Sequence, residues 1–258
     1  MTRLFETPTA WRSDRLAQVR AGLTLGFVPT MGALHEGHVS LVRRSRAEND
    51  LTLVSIFVNP TQFDDPRDLA EYPRTIETDL LTLRTEKTDF VLIPREADLY
   101  PDHYRYRVTE EGLSTVLEGT HRPGHFDGVL TIVLKLLQIA SADRAYFGEK
   151  DWQQLALVRG MADAFFLSTA IVACETIREA DGLAISSRNR RLPSTDRERA
   201  SRFYRVLSTA PTAEVATLDL RQSGFAVDYV EDRDGRRLGA VRLGSVRLID
   251  NVPLTSRS

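Results

Sequence analysis

A single cysteine, Cys174, excludes an internal disulfide in this chain of 258 residues. It closes the run Thr169-Ala170-Ile171-Val172-Ala173-Cys174, which is expected as a buried strand, so the thiol is expected to be an inert core group rather than a nucleophile. No apolar stretch reaches the length needed to span a bilayer. The opening residues Met1-Thr2-Arg3-Leu4-Phe5-Glu6 lack the apolar centre of a signal peptide, and the cytoplasm is the expected location. Neither sign of charge dominates. A net charge of −2 gives no support to non-specific nucleic-acid binding. Internal repeats and low-complexity stretches are also missing. What remains is a chain with 42% apolar residues, enough for a substantial core in one large domain, or in a domain with a smaller companion.

The order of elements is informative. Ser13 to Ala21 is expected as a short helix, capped by Ser13 and stopped by Gly22. An apolar run, Leu23 to Val28, leads into Pro29-Thr30-Met31-Gly32-Ala33-Leu34-His35-Glu36-Gly37-His38 and then into an amphipathic stretch, Val39 to Ala47. This reads as strand, glycine-bearing turn and helix. Leu51 to Val58, Asp89 to Pro94, Arg144 to Gly148 and Ala170 to Cys174 are further strand candidates. Helices are expected over about Thr75 to Lys87, Asp127 to Ala140 and Asp151 to Phe166. Nearly continuous apolar strands alternating with helices predict a Rossmann-like, doubly wound α/β parallel sheet. Ligands bind such sheets at the carboxyl ends of the strands, where the polar motifs of this chain fall. From about residue 177 a small α+β domain is expected. Its helices are Thr195 to Leu207 and Ala213 to Gln222, its strands Phe225 to Glu231 and Gly239 to Ile249, with Asp234-Gly235 as a turn.

Taken residue by residue, each motif admits more than one reading. His35 and His38 stand three apart at a helix start, on one face, beside free backbone N–H groups that attract phosphate. They could instead cap and pack the helix, or bind a metal, although no cluster of further ligands is evident. Gly148-Glu149-Lys150-Asp151 ends a strand. Gly148 permits close approach of a nucleotide, Lys150 offers a point charge, and Gln154 shares its helical face; an ordinary strand–helix junction would look the same. Ser186-Ser187-Arg188-Asn189 suits a mobile anion clamp or a polar linker. Asn59, Gln62 and Tyr72 decorate the region after the second long strand, where neutral amides fit a small polar substrate or a turn. Asp79, at a helix start, either complements the helix dipole or binds magnesium. Arg122-Pro123-Gly124-His125-Phe126 reads as a helix entry.

Together the motifs resemble the pantothenate synthetase (pantoate–β-alanine ligase) family. The likeness runs from Phe27 to Leu192 and returns over Leu243 to Asn251. Pro29 to His38 resembles that family's HIGH signature. Ile56 to Phe63, Tyr72 to Thr75, Arg122 to Phe126, Phe147 to Gln154 and Arg178 to Ala184 match family blocks, and Ser186 to Asn189 takes the place of the KMSKS loop. Ile185 stands where Met or Leu is common, Thr78 where some members carry a second carboxylate, and a strand or hairpin is expected to be missing between Tyr229 and Leu243.

The resemblance implies a two-step ligase. Pantoate attacks the α-phosphate of ATP, and β-alanine then displaces AMP from pantoyl adenylate. It implies an ATP site lined by Met31, Gly32, Ala33, Leu34, His35, Glu36, Gly37, His38, Gly148, Glu149, Lys150, Asp151, Ile177, Ile185, Ser186, Ser187 and Arg188. His38, His35, Lys150 and Arg188 carry the catalysis. Gln62 binds pantoate and β-alanine, Gln154 binds pantoate, Asn59 and Tyr72 lie nearby, and Asp79 lies at Mg2+. Residues 1–176 form the ATP- and pantoate-binding domain and 177–258 a shortened lid, in a homodimer without nucleic-acid or membrane partners. The competing expectations are a related adenylate-forming ligase for another hydroxy acid or amine, a nucleotidyltransferase acting on a phosphorylated acceptor, and a non-catalytic nucleotide-binding paralogue.

Overall fold

A computed structural model describes residues 1–254. The chain divides into two compact units, one of residues Met1–Glu149 and Gln153–Cys174, the other of Lys150–Trp152 and the chain from Glu175 onward.

The first unit is built on six strands: β1 (Arg3–Phe5), β2 (Leu25–Thr30), β3 (Leu51–Ile56), β4 (Phe90–Leu92), β5 (Arg144–Gly148) and β6 (Ala170–Cys174). All are parallel, in the order β1-β4-β3-β2-β5-β6. The connecting helices are α1 (Pro8–Arg20), α2 (Glu36–Glu48), α3 (Pro66–Glu71), α4 (Ile76–Thr85), α5 (Glu96–Leu99), α6 (Glu118–His121), α7 (His125–Ala140) and α8 (Trp152–Ala164). Alternation along the strands feeds two cores. Leu25, Phe27, Leu53, Leu92 and Phe147 pack on the face covered by α7 residues such as Val129 and Val133. Val28, Val54, Val91 and Tyr146 pack with Leu41, Val42 and Leu83 on the other face. Burial on both faces explains why these strands read as unbroken apolar runs. Cys174 is a free, buried thiol, and burial pushes its pKa up, consistent with a core group.

Chain order reverses between β2 and β5. The series β2, β3, β4 runs one way from the centre and β5, β6 the other. A crevice therefore opens beyond the carboxyl ends of these two strands, where their outgoing loops part.

Two local expectations change. The first helix begins at Pro8, not Ser13, because Thr7 accepts a hydrogen bond from the Ala10 N–H at 3.2 Å and Pro8 fits the first helical turn. Ser13 lies inside this helix and donates back to the Thr9 carbonyl at 3.1 Å.

The second unit packs α9 (Ser194–Thr209) and α10 (Ala213–Gln222) with an antiparallel sheet of β7 (Ala226–Arg233), β8 (Arg236–Leu243) and β9 (Val246–Pro253). Asp234 and Gly235, with φ of 48° and 74°, form the tight turn of the first hairpin. The single strand expected over Gly239–Ile249 is instead two strands, since the chain folds back at Gly244, where φ is 55°. Phe203, Leu207, Leu220, Phe225, Val241 and Leu248 fill this core. Arg237 is buried within it, held by Asp232 at 2.7 and 2.9 Å and by the Leu207 carbonyl at 3.3 Å.

Candidate active site

The tip of β2 is shaped by two left-handed residues, Gly32 (φ 79°) and Ala33 (φ 51°). The Thr30 hydroxyl donates to the Ser55 carbonyl at 2.8 Å and accepts from the Gly32 N–H at 3.2 Å. Glycine is required at 32, because a Cβ there would come within 3.0 Å of Asp79 Oδ2 and 3.1 Å of the Ile56 side chain. Asp79 itself reaches across from α4. It accepts from the Ala33 N–H at 3.0 Å, the Leu34 N–H at 2.8 Å and the Thr75 hydroxyl at 3.1 Å. Only 2% of Asp79 is exposed. Magnesium binding was the sequence expectation for this residue; the structure commits both carboxylate oxygens to the loop. Among the described residues no group of three or more His, Cys, Asp or Glu is arranged to hold a metal ion.

With the loop held in this way, His35 becomes the N-cap of α2 in extended backbone conformation, and its ring stacks on that of His38 with centroids 4.0 Å apart and planes 28° apart. Gly37 permits this fold-over, since a Cβ at that position would lie 3.0 Å from the His35 ring. Both imidazoles are half-buried and Glu36 is exposed. The three-residue spacing thus gives the shared face expected from the sequence.

The loop after β3 carries the amides. Asn59 is 1% exposed and its carboxamide is fully occupied. Nδ2 donates to the Gly128 carbonyl at 3.1 Å and to Gln62 Oε1 at 3.2 Å, while Oδ1 accepts from the Tyr100 hydroxyl at 2.7 Å and the Thr61 hydroxyl at 3.1 Å. An amide has two donors and two acceptor lone pairs, so none is left over for a ligand. Asn59 was expected beside the substrate; the geometry makes it the support of Gln62. Gln62 Nε2 in turn faces Met31 Sδ at 3.0 Å, which brings the β2 and β3 loops together. Tyr72 is buried, edge-on to Phe63 at 5.6 Å.

Gly128 and Tyr100 were not singled out by sequence reasoning. A Cβ on Gly128 would sit 2.2 Å from the Thr61 carbonyl oxygen and 2.7 Å from the Gln62 nitrogen. Only glycine lets α7 approach this turn, and a glycine inside an apolar helix was the available signal. His125, at the start of α7, is also buried, and its Nδ1 lies 2.7 Å from the Gln62 carbonyl oxygen.

Gly148 ends β5, Glu149 opens a short 3-10 turn, and Gln154 lies in the first turn of α8, half-buried. Its neighbour Gln153 is fully employed by the scaffold, donating to the Leu113 and Val116 carbonyls at 2.7 and 2.8 Å and accepting from the Glu118 N–H at 3.1 Å.

The second unit holds the remaining candidates. Lys150 presents a partly buried ammonium 3.7 Å from Asp151 Oδ2, and its carbonyl accepts from Asn251 Nδ2 at 3.0 Å. Ile185 pairs with Ile177 through a 3.0 Å backbone bond. Arg178, next to Ile177, pairs bidentately with buried Asp250 at 2.6 and 3.0 Å and stacks 3.8 Å over the Tyr204 ring. Ser186 caps a short 3-10 helix, Ser187–Arg191, by accepting from the Arg188 N–H at 3.3 Å. Asn189 ties this turn to the Ala184 carbonyl at 3.0 Å. The serine–arginine stretch, expected as a loop, is therefore a capped helical turn.

The family model for pantoate–β-alanine ligases matches residues 3–253 of this chain. The chain belongs to the pantoate–β-alanine ligase family. Pantothenate synthetase of Bdellovibrio bacteriovorus is 50% identical over 254 residues, 98% of this chain and 100% of that protein. Its counterpart from Coxiella burnetii is 47% identical over 98% of this chain and 97% of its own. Among solved structures, the Francisella tularensis pantoate–β-alanine ligase, described as complexed with β-γ ATP and β-alanine, superposes with a TM-score of 0.93 at 40% identity, covering 98% of each chain. Pantothenate synthetase from Thermus thermophilus gives 0.86 at 38%, covering 97% of this chain and 99% of its own. The family's fold is the one described above, a six-stranded parallel sheet unit followed by a small antiparallel one.

Proposed function

We propose that this chain condenses pantoate with β-alanine at the expense of ATP, by way of a pantoyl adenylate. The observation that carries the reading is the tip of β2. A left-handed turn clamped by Asp79 delivers two stacked imidazoles to the start of α2, and Met31, at the head of the same turn, meets the Gln62 carboxamide. This is a phosphate site next to a neutral polar site, as an acid-activating ligase needs.

In the first step a pantoate carboxylate oxygen bonds to the α-phosphorus of ATP and the bond to pyrophosphate breaks. His35 and His38 donate to phosphate oxygens as charge moves onto them, the Met31–Leu34 turn supports the nucleotide, and Gln62 and Gln154 hold the hydroxy acid without adding a cation that competes for phosphate. Lys150 and Arg188, with Ser186 and Ser187, neutralise the β- and γ-phosphates. Gly148, Glu149, Asp151, Ile177 and Ile185 are assigned to the nucleoside. In the second step the β-alanine nitrogen bonds to the acyl carbon, the bond to AMP breaks and the amine loses a proton. Positioning and charge stabilisation suffice for both steps.

Asp79 is assigned to holding the turn, so magnesium enters as part of the MgATP substrate. A lid role for the chain from residue 177, a homodimer and a cytoplasmic location complete the reading. Sedimentation tests the dimer.

Incubation with ATP, magnesium, pantoate and β-alanine, omitting each in turn, tests the chemistry. Pantothenate and AMP should require all four. Pyrophosphate release should persist for one turnover without β-alanine, as the adenylate accumulates. ATP binding without pantoate-dependent pyrophosphate release would overturn the proposal.

A further inference from the structure

Three side chains, those of His125, Arg122 and Asp64, form a circuit around the Gln62 backbone. Its backbone carbonyl oxygen receives His125 Nδ1 at 2.7 Å and Arg122 Nη2 at 3.2 Å, one donor for each lone pair. Arg122 Nη1 lies 3.1 Å from His125 Nε2, and Arg122 Nε donates to Asp64 Oδ1 at 2.8 Å. A guanidinium has no acceptor, so Nε2 must accept and carry no hydrogen. The proton of the ring is then on Nδ1, aimed at Gln62. Arg122 thereby selects one tautomer of one protonation state, and Asp64 orients Arg122. Residues 62–64 are gripped at both ends. Among the described residues, the Gln62 side chain, steadied at Oε1 by Asn59, meets only a weak acceptor, Met31 Sδ, at its Nε2, a donor that a stronger partner could take.

We propose that His125 is a positioning residue whose neutral Nδ1–H tautomer, imposed by Arg122, fixes the Gln62 backbone and so aims the Gln62 carboxamide at the hydroxy acid. The inference rests on the assignment of Gln62 to that substrate. It gives His125 a role distinct from helix entry, because its Nδ1 faces the Gln62 carbonyl and the helix has Gly124 at its N-cap with no side-chain cap bond. The charged groups around the ring are Arg122 on its own loop, Glu118 on α6 and Asp64 after the β3 turn. Burial, followed by the Arg122 charge, lowers its pKa to about 4, in keeping with a neutral ring. A proton on Nε2 would face the guanidinium, break that bond and loosen the circuit.

The test uses the full-length enzyme with His125→Asn and His125→Leu. Asparagine Nδ2 can take the place of Nδ1 and donate to the Gln62 carbonyl; leucine cannot. His125→Leu should raise KM for pantoate at least tenfold with KM for ATP changed less than twofold, and His125→Asn should recover to within threefold of wild type. Nitrogen-15 spectra of the wild-type imidazoles, which require no variant to fold and no ligand, should show His125 protonated at Nδ1 and bare at Nε2 from pH 7.5 down to 5.5. An Nε2–H tautomer, an imidazolium by pH 6, or equal loss of pantoate and ATP affinity in both variants would overturn the proposal. Wild-type pyrophosphate release with pantoate is measured alongside. If it is absent, the substrate assignment is what has failed, and the role given to Gln62 and His125 falls with it.

Discussion

Replacing Asp79 with asparagine separates a loop clamp from a metal ligand. In the wild type the carboxylate accepts backbone N–H groups from Ala33 and Leu34 at 3.0 and 2.8 Å. Asparagine can keep one of these bonds. Its NH2 group would face the other N–H, donor against donor, in a site where residue 79 is 2% exposed. Losing one hydrogen bond to a charged acceptor costs about 1.5–3 kcal/mol. Ala33 adds to this, because a left-handed alanine stores about 1 kcal/mol that the clamp holds in place. A penalty of about 2.5–4 kcal/mol on the phosphate-ready loop lowers kcat/KM for ATP roughly 70- to 900-fold. Pyrophosphate release, measured over a magnesium titration at fixed ATP, reads this directly. The loss should persist at saturating magnesium, and thermal melting should fall by a few degrees. Activity within threefold of wild type, or full recovery at high magnesium, would refute the clamp and return Asp79 to the metal.

Three further outcomes are expected. His38→Ala and Lys150→Ala should each lower the rate of pyrophosphate release by about 10²–10³ while circular dichroism stays unchanged; near-wild-type rates would remove their assigned roles. Gly128→Ala drives a methyl to 2.2 Å from the Thr61 carbonyl and should cost about 1–3 kcal/mol of stability, with pantoate affinity falling more than ATP affinity in calorimetry. His125 is held at a pKa of about 4 against an ordinary value of 6.5, so the unfolded chain takes up its proton first as pH falls. Its contribution is complete above pH 6.5, declines between about 6.5 and 4 and reaches a loss of about 3 kcal/mol. Denaturation midpoints of the wild type should fall over that window more steeply than those of His125→Asn.

The sheet was legible because two-sided burial leaves unmistakable apolar runs, such as Leu51 to Ile56, and the turn after β2 because its glycines and histidines have few other uses. Strand β1 escaped notice because it is three residues long and buries only Phe5. The β8–β9 hairpin was read as one strand because apolar and polar residues keep alternating around Gly244-Ser245. The roles of Asn59 and Asp79 were hidden for a different reason. Residue type marked both as belonging to the site, but their partners, Gly128 and Tyr100 for one and Ala33 and Leu34 for the other, lie about 40 to 70 positions away. Local periodicity does not encode contacts of that range.

Helix α7 joins two properties that a protein engineer would prefer to keep apart. Its aliphatic residues fill the main core, while its first turn, through the Gly128 carbonyl and the His125 ring, sets the stance of Asn59 and Gln62. Repacking the interior along this helix to gain heat tolerance would shift that first turn as well. Selection for a tougher protein and selection for a choosy one would therefore act on the same few residues.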